Sequence, residues 1–140
     1  MGSAAILALL GLPRALLASA WPKEAFDSTD ANEAMVKLLG TDQTKHSDVI
    51  SLIAPQVAED GTIVPISVTT TLPDVRSISI VVKNNPRPLA VSFELSEGTL
   101  PDISCRIKMA ETSELMAVVH TGNGIFCTST TVQVVLGGCA

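Results

Sequence analysis

Seven segments rich in valine, isoleucine, leucine and threonine follow one another from residue 49 to residue 136. Short runs of turn residues such as Asp60-Gly61 and Gly122-Asn123-Gly124 separate them, and their apolar periodicity approaches two. The segments cover residues 49–54, 62–71, 78–83, 89–95, 103–109, 115–121 and 125–136. Short strands at near-regular spacing are typical of an antiparallel β-sandwich, so the sequence predicts a mainly β, immunoglobulin-like fold of about seven strands.

A short amphipathic helix is predicted ahead of these strands. Asp30 is of a residue type that caps helix N-termini, and Glu33 stands three positions later as the return partner of a capping box. Gly40 is suited to end the helix. One apolar stripe lies between these signals: Ala31, Ala34, Met35, Leu38 and Leu39. The polar residues 41–48 that follow are expected to form a linker.

The first 20 residues have the pattern of a secretory signal peptide. Residues 4–12 are apolar but too few to span a bilayer, which takes about 20 residues. Ala18-Ser19-Ala20 matches an A-x-A cleavage site, so cleavage is expected after Ala20 and an exported, soluble protein is predicted. The domain prediction is then a signal peptide over 1–20, helix and linker over 21–47, sandwich over 48–136 and a flexible arm over 137–140.

The charge balance of the mature chain excludes two classes of partner. Removing residues 1–20 removes Arg14 and leaves 8 basic against 14 acidic residues, a net charge of −6. Nucleic acids and anionic membranes are bound through clustered lysine and arginine, and here the basic residues are scattered singly. The sequence therefore predicts neither a nucleic-acid-binding nor a membrane-binding protein.

The chain closes with the residues VVLGGCA. Gly137 and Gly138 lose much conformational entropy if they are ordered, so the last strand is expected to end before them and to leave Cys139 exposed. An exposed cysteine usually owes its place to redox or ligand chemistry. The pattern indicates a reactive thiol on a short tether, and the alternative is a frayed terminus that happens to carry a cysteine.

Catalytic motifs are not found in the sequence. His46 and His120 lie far apart and outside any recognisable base or metal motif, and no CxxC pair, HExxH motif or nucleophile elbow is present. The sequence predicts no catalytic residue, no cofactor and no metal site, which favours a protein that is not an enzyme.

The two internal cysteines are expected to remain free thiols. If the last three strands form a plain meander, Cys105 and Cys127 both lie opposite Val118, two strand spacings of about 4.8 Å apart. A disulfide requires Cα atoms closer than about 7 Å. A bulge, or a strand that switches sheets, would change this geometry.

Three stretches of the chain resemble the SoxY family, the sulfur carriers of the periplasmic thiosulfate-oxidising (Sox) system. They are APQVAEDGTIVPISVTTTLPDVRSISIVVKNNPRPLAVSFEL, ISCRIKMAETSELMAVV and VQVVLGGC. The resemblance implies an immunoglobulin-like sandwich that forms a heterodimer with a SoxZ-like subunit and bears its carrier cysteine on a Gly-Gly-Cys-Gly-Gly arm. The matching positions here are Gly137, Gly138 and Cys139.

The resemblance also implies a reaction cycle in which the carrier itself performs no acid or base chemistry. The haem protein SoxAX would join thiosulfate to Cys139, SoxB would hydrolyse off sulfate, and SoxCD would oxidise the remaining sulfur. Two departures from the family are present, since Ala140 replaces the final glycines and no twin arginine precedes the apolar leader. A carboxylate close to the sulfur would disfavour the thiolate and slow loading.

Two other functions remain open at the level of sequence. One is a periplasmic interaction module whose terminal cysteine forms an intermolecular disulfide, and a sulfur adduct on Cys139 would distinguish the carrier from it. The other is a thiol redox enzyme, which would require a resolving thiol that the tail does not contain.

Overall fold

The computed structural model describes residues 21–135, and the segments 1–20 and 136–140 lie outside the described residues. The described residues form two short helices and nine strands. The elements are α1 (Lys23–Asp27), α2 (Ala31–Leu39), β1 (Lys45–His46), β2 (Ile50–Ile53), β3 (Val57–Ala58), β4 (Val64–Thr70), β5 (Val75–Val82), β6 (Leu89–Glu94), β7 (Asp102–Ile107), β8 (Ser113–Thr121) and β9 (Gly124–Val134).

The strands form two sheets that pack face to face. The larger sheet has the order β1-β9-β8-β5-β6, with β3 also paired to β9, and the smaller sheet has the order β2-β4-β7. Neighbouring strands are antiparallel except β1 and β3, which both run parallel to β9. Each of the seven predicted strands is present, so the predicted mainly β sandwich is confirmed.

The main hydrophobic core lies between the two sheets. Alternate residues of β5 point into it, and Ile78, Ile80 and Val82 are fully buried there. Alternate residues of β4 face them from the smaller sheet, namely Val64, Ile66 and Val68. Burying a side chain of this size contributes about 1.5–3 kcal/mol, so the period-two pattern of these strands is what stabilises the sandwich.

A second apolar cluster holds the helices against the outer face of the larger sheet. Ala34 and Met35 of α2 pack with Val81, Leu89 and Val118 of the sheet. These sheet residues alternate with those that face the main core. The helices therefore cover part of the outer face of the larger sheet and add a third layer there.

Helix α2 begins and ends where the sequence predicts. The carboxylate of Asp30 accepts a hydrogen bond from the backbone N–H of Glu33 at 2.9 Å, and Gly40 ends the helix with φ of 83°. The carboxylate of Glu33 pairs with Lys37 Nζ at 2.7 Å. The cap is thus made by Asp30, while Glu33 forms an ion pair along the helix.

Replacing Asp30 with alanine is expected to lower the free energy of unfolding by about 1 kcal/mol, since it leaves the amide of Glu33 without its cap. Urea denaturation followed by circular dichroism measures this loss. Glu33→Ala is the matched control and should cost much less, because exposed ion pairs contribute little. A larger effect of the control would contradict the capping role of Asp30.

Two elements near the N-terminus have no counterpart in the sequence prediction. Helix α1 has five residues, too few for an apolar stripe, and beside it the ring of Trp21 stacks on that of Phe26 at 4.8 Å. The expected polar linker over 41–48 contains β1, which pairs with the edge of β9.

The predicted meander of the last three strands is wrong. Cys127 lies opposite Val118 as expected, but β7 belongs to the other sheet, where Cys105 lies opposite Ile66. The chain changes sheets between β7 and β8. Both cysteines are free thiols, as expected, because they lie on different sheets, which pack about 10 Å apart.

Candidate functional site at the end of strand β9

Strand β9 leads directly to the C-terminal residues that the sequence singles out. It has 11 residues, and residues 124–132 of it pair with β8. On its other edge β1 pairs with Phe126 and Cys127, while β3 pairs with Gln133 and Val134. Its last two residues therefore have β3 on one edge and lie beyond the pairing with β8 on the other.

Hydrogen bonds hold the chain up to Val135. The N–H of Val134 donates to the hydroxyl of Thr112 at 2.9 Å, and the N–H of Val135 donates to the carbonyl of Ala58 at 3.0 Å. The side chains of Val132 and Val134 are buried in the main core. We call Val134 and Val135, with their partners on β3, the arm root.

Gly61 makes room for the arm root. A Cβ atom at this position would lie 2.4 Å from the carbonyl oxygen of Met109 and 2.9 Å from Cγ1 of Val134. The carbonyl of Gly61 also accepts a hydrogen bond from the N–H of Met109 at 2.7 Å. The sequence indicates only that Gly61 is a turn residue. The structure shows that a glycine is needed here because there is no space for a side chain.

The arm root also exposes apolar surface. Val57 of β3 is 47% exposed and Val135 is 44% exposed. Sequence analysis missed β3, because a two-residue strand has no periodicity. The signal that was available is the composition of Val57-Ala58, which is apolar between the polar residues Gln56 and Glu59.

The predicted carrier residues Gly137, Gly138 and Cys139 lie outside the described residues. Two other thiols lie within the described residues. Cys105 and Cys127 are half-buried, and burial raises the pKa of the Cys105 thiol. The sulfur of Cys127 lies 3.1 Å from the hydroxyl oxygen of Thr44. The raised pKa leaves less of the Cys105 thiol in the nucleophilic thiolate form than an unperturbed thiol has.

The two histidines are not brought together. His46 is exposed on β1 and its Nε2 lies 2.8 Å from a carboxylate oxygen of Asp48, while His120 lies on β8 opposite Ile125. Within residues 21–135 no group of three or more histidine, cysteine or acidic side chains is placed to hold a metal ion. Over the same residues, no helix is both long and apolar enough to cross a membrane.

Comparison with known proteins places the chain in a family. The family model of sulfur oxidation protein SoxY matches residues 35–139. The solved structure of the sulfur carrier protein SoxY from Chlorobium limicola f thiosulfatophilum is similar to this chain at 32% sequence identity and a TM-score of 0.67. The match covers 74% of this chain and 94% of that one.

More distant matches concern the fold alone. A superoxide reductase (neelaredoxin) from Ignicoccus hospitalis is 15% identical over 66% of this chain and 82% of its own, with a TM-score of 0.56. No match was found among curated proteins. From the extent of the family match and the likeness to the Chlorobium carrier, we conclude that this chain belongs to the SoxY family of sulfur oxidation proteins.

Proposed function

We propose that this protein carries sulfur intermediates of thiosulfate oxidation as covalent adducts of the Cys139 thiol and presents them to partner enzymes. The observation that carries the proposal is where the family match ends. It extends past the last described residue and finishes on Cys139 itself. The similar chain from Chlorobium is described as a sulfur carrier, which supports a carrier role here.

The position of the arm root suits this role. Cys139 follows Val135 by four residues, a stretch that spans at most about 14 Å when extended. Gly137 and Gly138 carry no side chains that would obstruct a narrow enzyme channel. Because the N–H of Val134 donates to the hydroxyl of Thr112 and that of Val135 donates to the carbonyl of Ala58, the thiol stays within this short distance of a fixed point. Its effective concentration at a docked enzyme is then high.

The proposed loading step oxidises the thiol and thiosulfate together. A bond forms between Sγ of Cys139 and the terminal sulfur of thiosulfate, the thiol proton is released, and two electrons pass to a haem protein of the SoxAX type. The product is a cysteine S-thiosulfonate. The carrier supplies only the thiol in this step.

The proposed unloading step is hydrolytic. Water attacks the sulfone sulfur, and the bond between that sulfur and its neighbouring sulfur breaks. Sulfate and a proton are released, and Cys139 remains as a persulfide. An enzyme of the SoxB type would catalyse this step, and one of the SoxCD type would oxidise the remaining sulfur. These enzymes, a SoxZ-like subunit in a heterodimer and the periplasmic location are carried over from the family.

Mass spectrometry tests the adduct directly. Protein purified without reductant from cells supplied with thiosulfate is expected to show mass increases equal to thiosulfonate or sulfur, localised to Cys139 and removed by a thiol reductant. Trypsin leaves Cys127 and Cys139 on one peptide, since no lysine or arginine follows Lys108. Fragment ions, or chymotryptic cleavage after Leu136, are therefore needed to assign the site.

The same measurements can also contradict the proposal. Adducts on Cys105 or Cys127 alone would place the carrier thiol elsewhere. Disulfide-linked dimers through Cys139, without any sulfur adduct in cells that oxidise thiosulfate, would instead support an interaction module.

A further inference from the structure

An open groove lies between the outer strands of the two sheets. Strand β6 ends the larger sheet and β7 ends the smaller one, and neither has a strand of residues 21–135 on its outer edge. The groove has a volume of about 400 Å³, and half-buried apolar side chains from both strands line it, among them Val91 and Cys105. An unpaired edge beside apolar surface is a template for a further strand.

The hydrogen bonds of β7 show which backbone groups are free. The carbonyl of Pro101 accepts from Thr70, and the N–H of Met109 donates to Gly61, so the odd-numbered residues bond towards β4. In an antiparallel pair the direction alternates, so Ser104 and Arg106 direct their N–H and carbonyl groups away from β4.

The end of this edge is already occupied by a side chain that imitates a strand. The amide nitrogen of Asn85 donates to the carbonyl of Lys108 at 2.7 Å, and its amide oxygen accepts from the N–H of Ala110 at 2.9 Å. The edge is thus capped after Lys108 and open at Ser104 and Arg106.

The groove is basic in an acidic protein. Arg87, Arg106 and Lys108 line it and no acidic side chain does, although the chain has a net charge of −5. Arg87 has Asp27 at 3.9 Å, and within the part of the chain that the structure describes Arg106 and Lys108 have no ion-pair partner. A positive patch of this kind attracts an acidic partner.

We propose that the free edge of β7 at Ser104 and Arg106 is a strand-addition site for an extended, acidic segment of a partner protein. Main-chain hydrogen bonds would give affinity, and the three cations would select acidic side chains. Lys108 precedes Met109, whose backbone lies against Gly61 beside Val134, so the basic end of the groove is next to the arm root. The idea that a partner bound in the groove also meets the arm rests on the proposed function. The proposed binding of the partner does not rest on it.

A matched pair of variants isolates the main-chain contribution. The hydroxyl of Ser104 pairs with that of Ser67 at 2.8 Å, and both Ser104→Ala and Ser104→Pro remove this contact. Only Ser104→Pro also removes the outward N–H, and it leaves the bonds to β4 in place. The probe is a synthetic peptide that alternates valine and threonine and carries glutamates at one end.

Titration of the full chain with this peptide, followed by fluorescence anisotropy, is expected to show binding that Ser104→Pro weakens about tenfold relative to Ser104→Ala. The double variant Arg106→Glu/Lys108→Glu should weaken binding further, and added salt should weaken binding to the wild type. If Ser104→Pro does not fold, N-methylation of the peptide amides gives the same comparison on the wild-type protein.

Several outcomes would overturn the proposal. These are failure of the peptide to bind, equal binding by the proline and alanine variants, and equal binding of a peptide with lysines in place of glutamates. Self-association of the wild type that Ser104→Pro abolishes would assign the edge to a second copy instead. Cys139→Ser should bind the peptide like the wild type, so failure of the carrier function is distinguishable from failure of this site.

Discussion

Cys139→Ser is expected to abolish thiosulfate-dependent turnover in the reconstituted pathway while leaving the free energy of unfolding almost unchanged. Serine keeps the size of the side chain but cannot form the sulfur–sulfur bond that the proposed cycle requires. The core, both sheets and the helix cap are formed by residues 21–135, and substitutions away from such features usually shift stability by less than about 0.5 kcal/mol. Electron release from thiosulfate and urea denaturation measure the two quantities.

The two other cysteines provide matched controls. Cys105→Ser and Cys127→Ser should both retain turnover, because these thiols are half-buried on different sheets and neither lies on the arm. Cys127→Ser also keeps a hydroxyl within reach of Thr44. Turnover by Cys139→Ser, or its loss in Cys105→Ser with the fold intact, would show that the carrier thiol has been misplaced.

Gly61→Ala is expected to have the largest effect on stability, a loss of about 3 kcal/mol. The new methyl group would lie 2.4 Å from the backbone oxygen of Met109, and no side-chain rotation relieves a contact with backbone. It would also press on the buried Val134. Urea denaturation measures the loss, and hydrogen exchange at the amides of Val134 and Val135 is expected to accelerate as the arm root loosens.

Gly98→Ala is the control for this prediction. Gly98 has φ of 83° and nothing within 4 Å of the added methyl group, so only the left-handed backbone opposes the substitution. That cost is about 1–2 kcal/mol. An equal loss in both variants would mean that the crowding at Gly61 relaxes without consequence.

Local patterns predicted the elements of this fold well. The alternation along β5 and β8 and the Asp30–Gly40 signals of α2 depend on neighbouring residues, so they can be seen in the sequence. The assignment of β7 to the smaller sheet could not be seen there. It depends on the packing of distant segments, and β7 has an alternation that suits either sheet.

Part of the candidate site could likewise be predicted from the sequence, and part of it could not. The Gly-Gly-Cys sequence and the family resemblance indicated Cys139, which lies outside the described residues. Composition alone hinted at β3, but its parallel pairing with β9, which forms the arm root, could not be predicted from a two-residue strand. The steric role of Gly61 depends on Met109 and Val134, which are distant in the sequence.

The strands on either side of β9 have a mechanical consequence. Ladder hydrogen bonds lie across the strand direction, so a force that pulls the chain beyond Val135 along β9 loads the bonds to β8 and β3 in shear, together rather than one at a time. If Cys139 visits partner enzymes as proposed, tension on the arm would therefore be shared across the sheet. Such a strand is expected to resist traction at its C-terminal end better than one whose bonds break one after another.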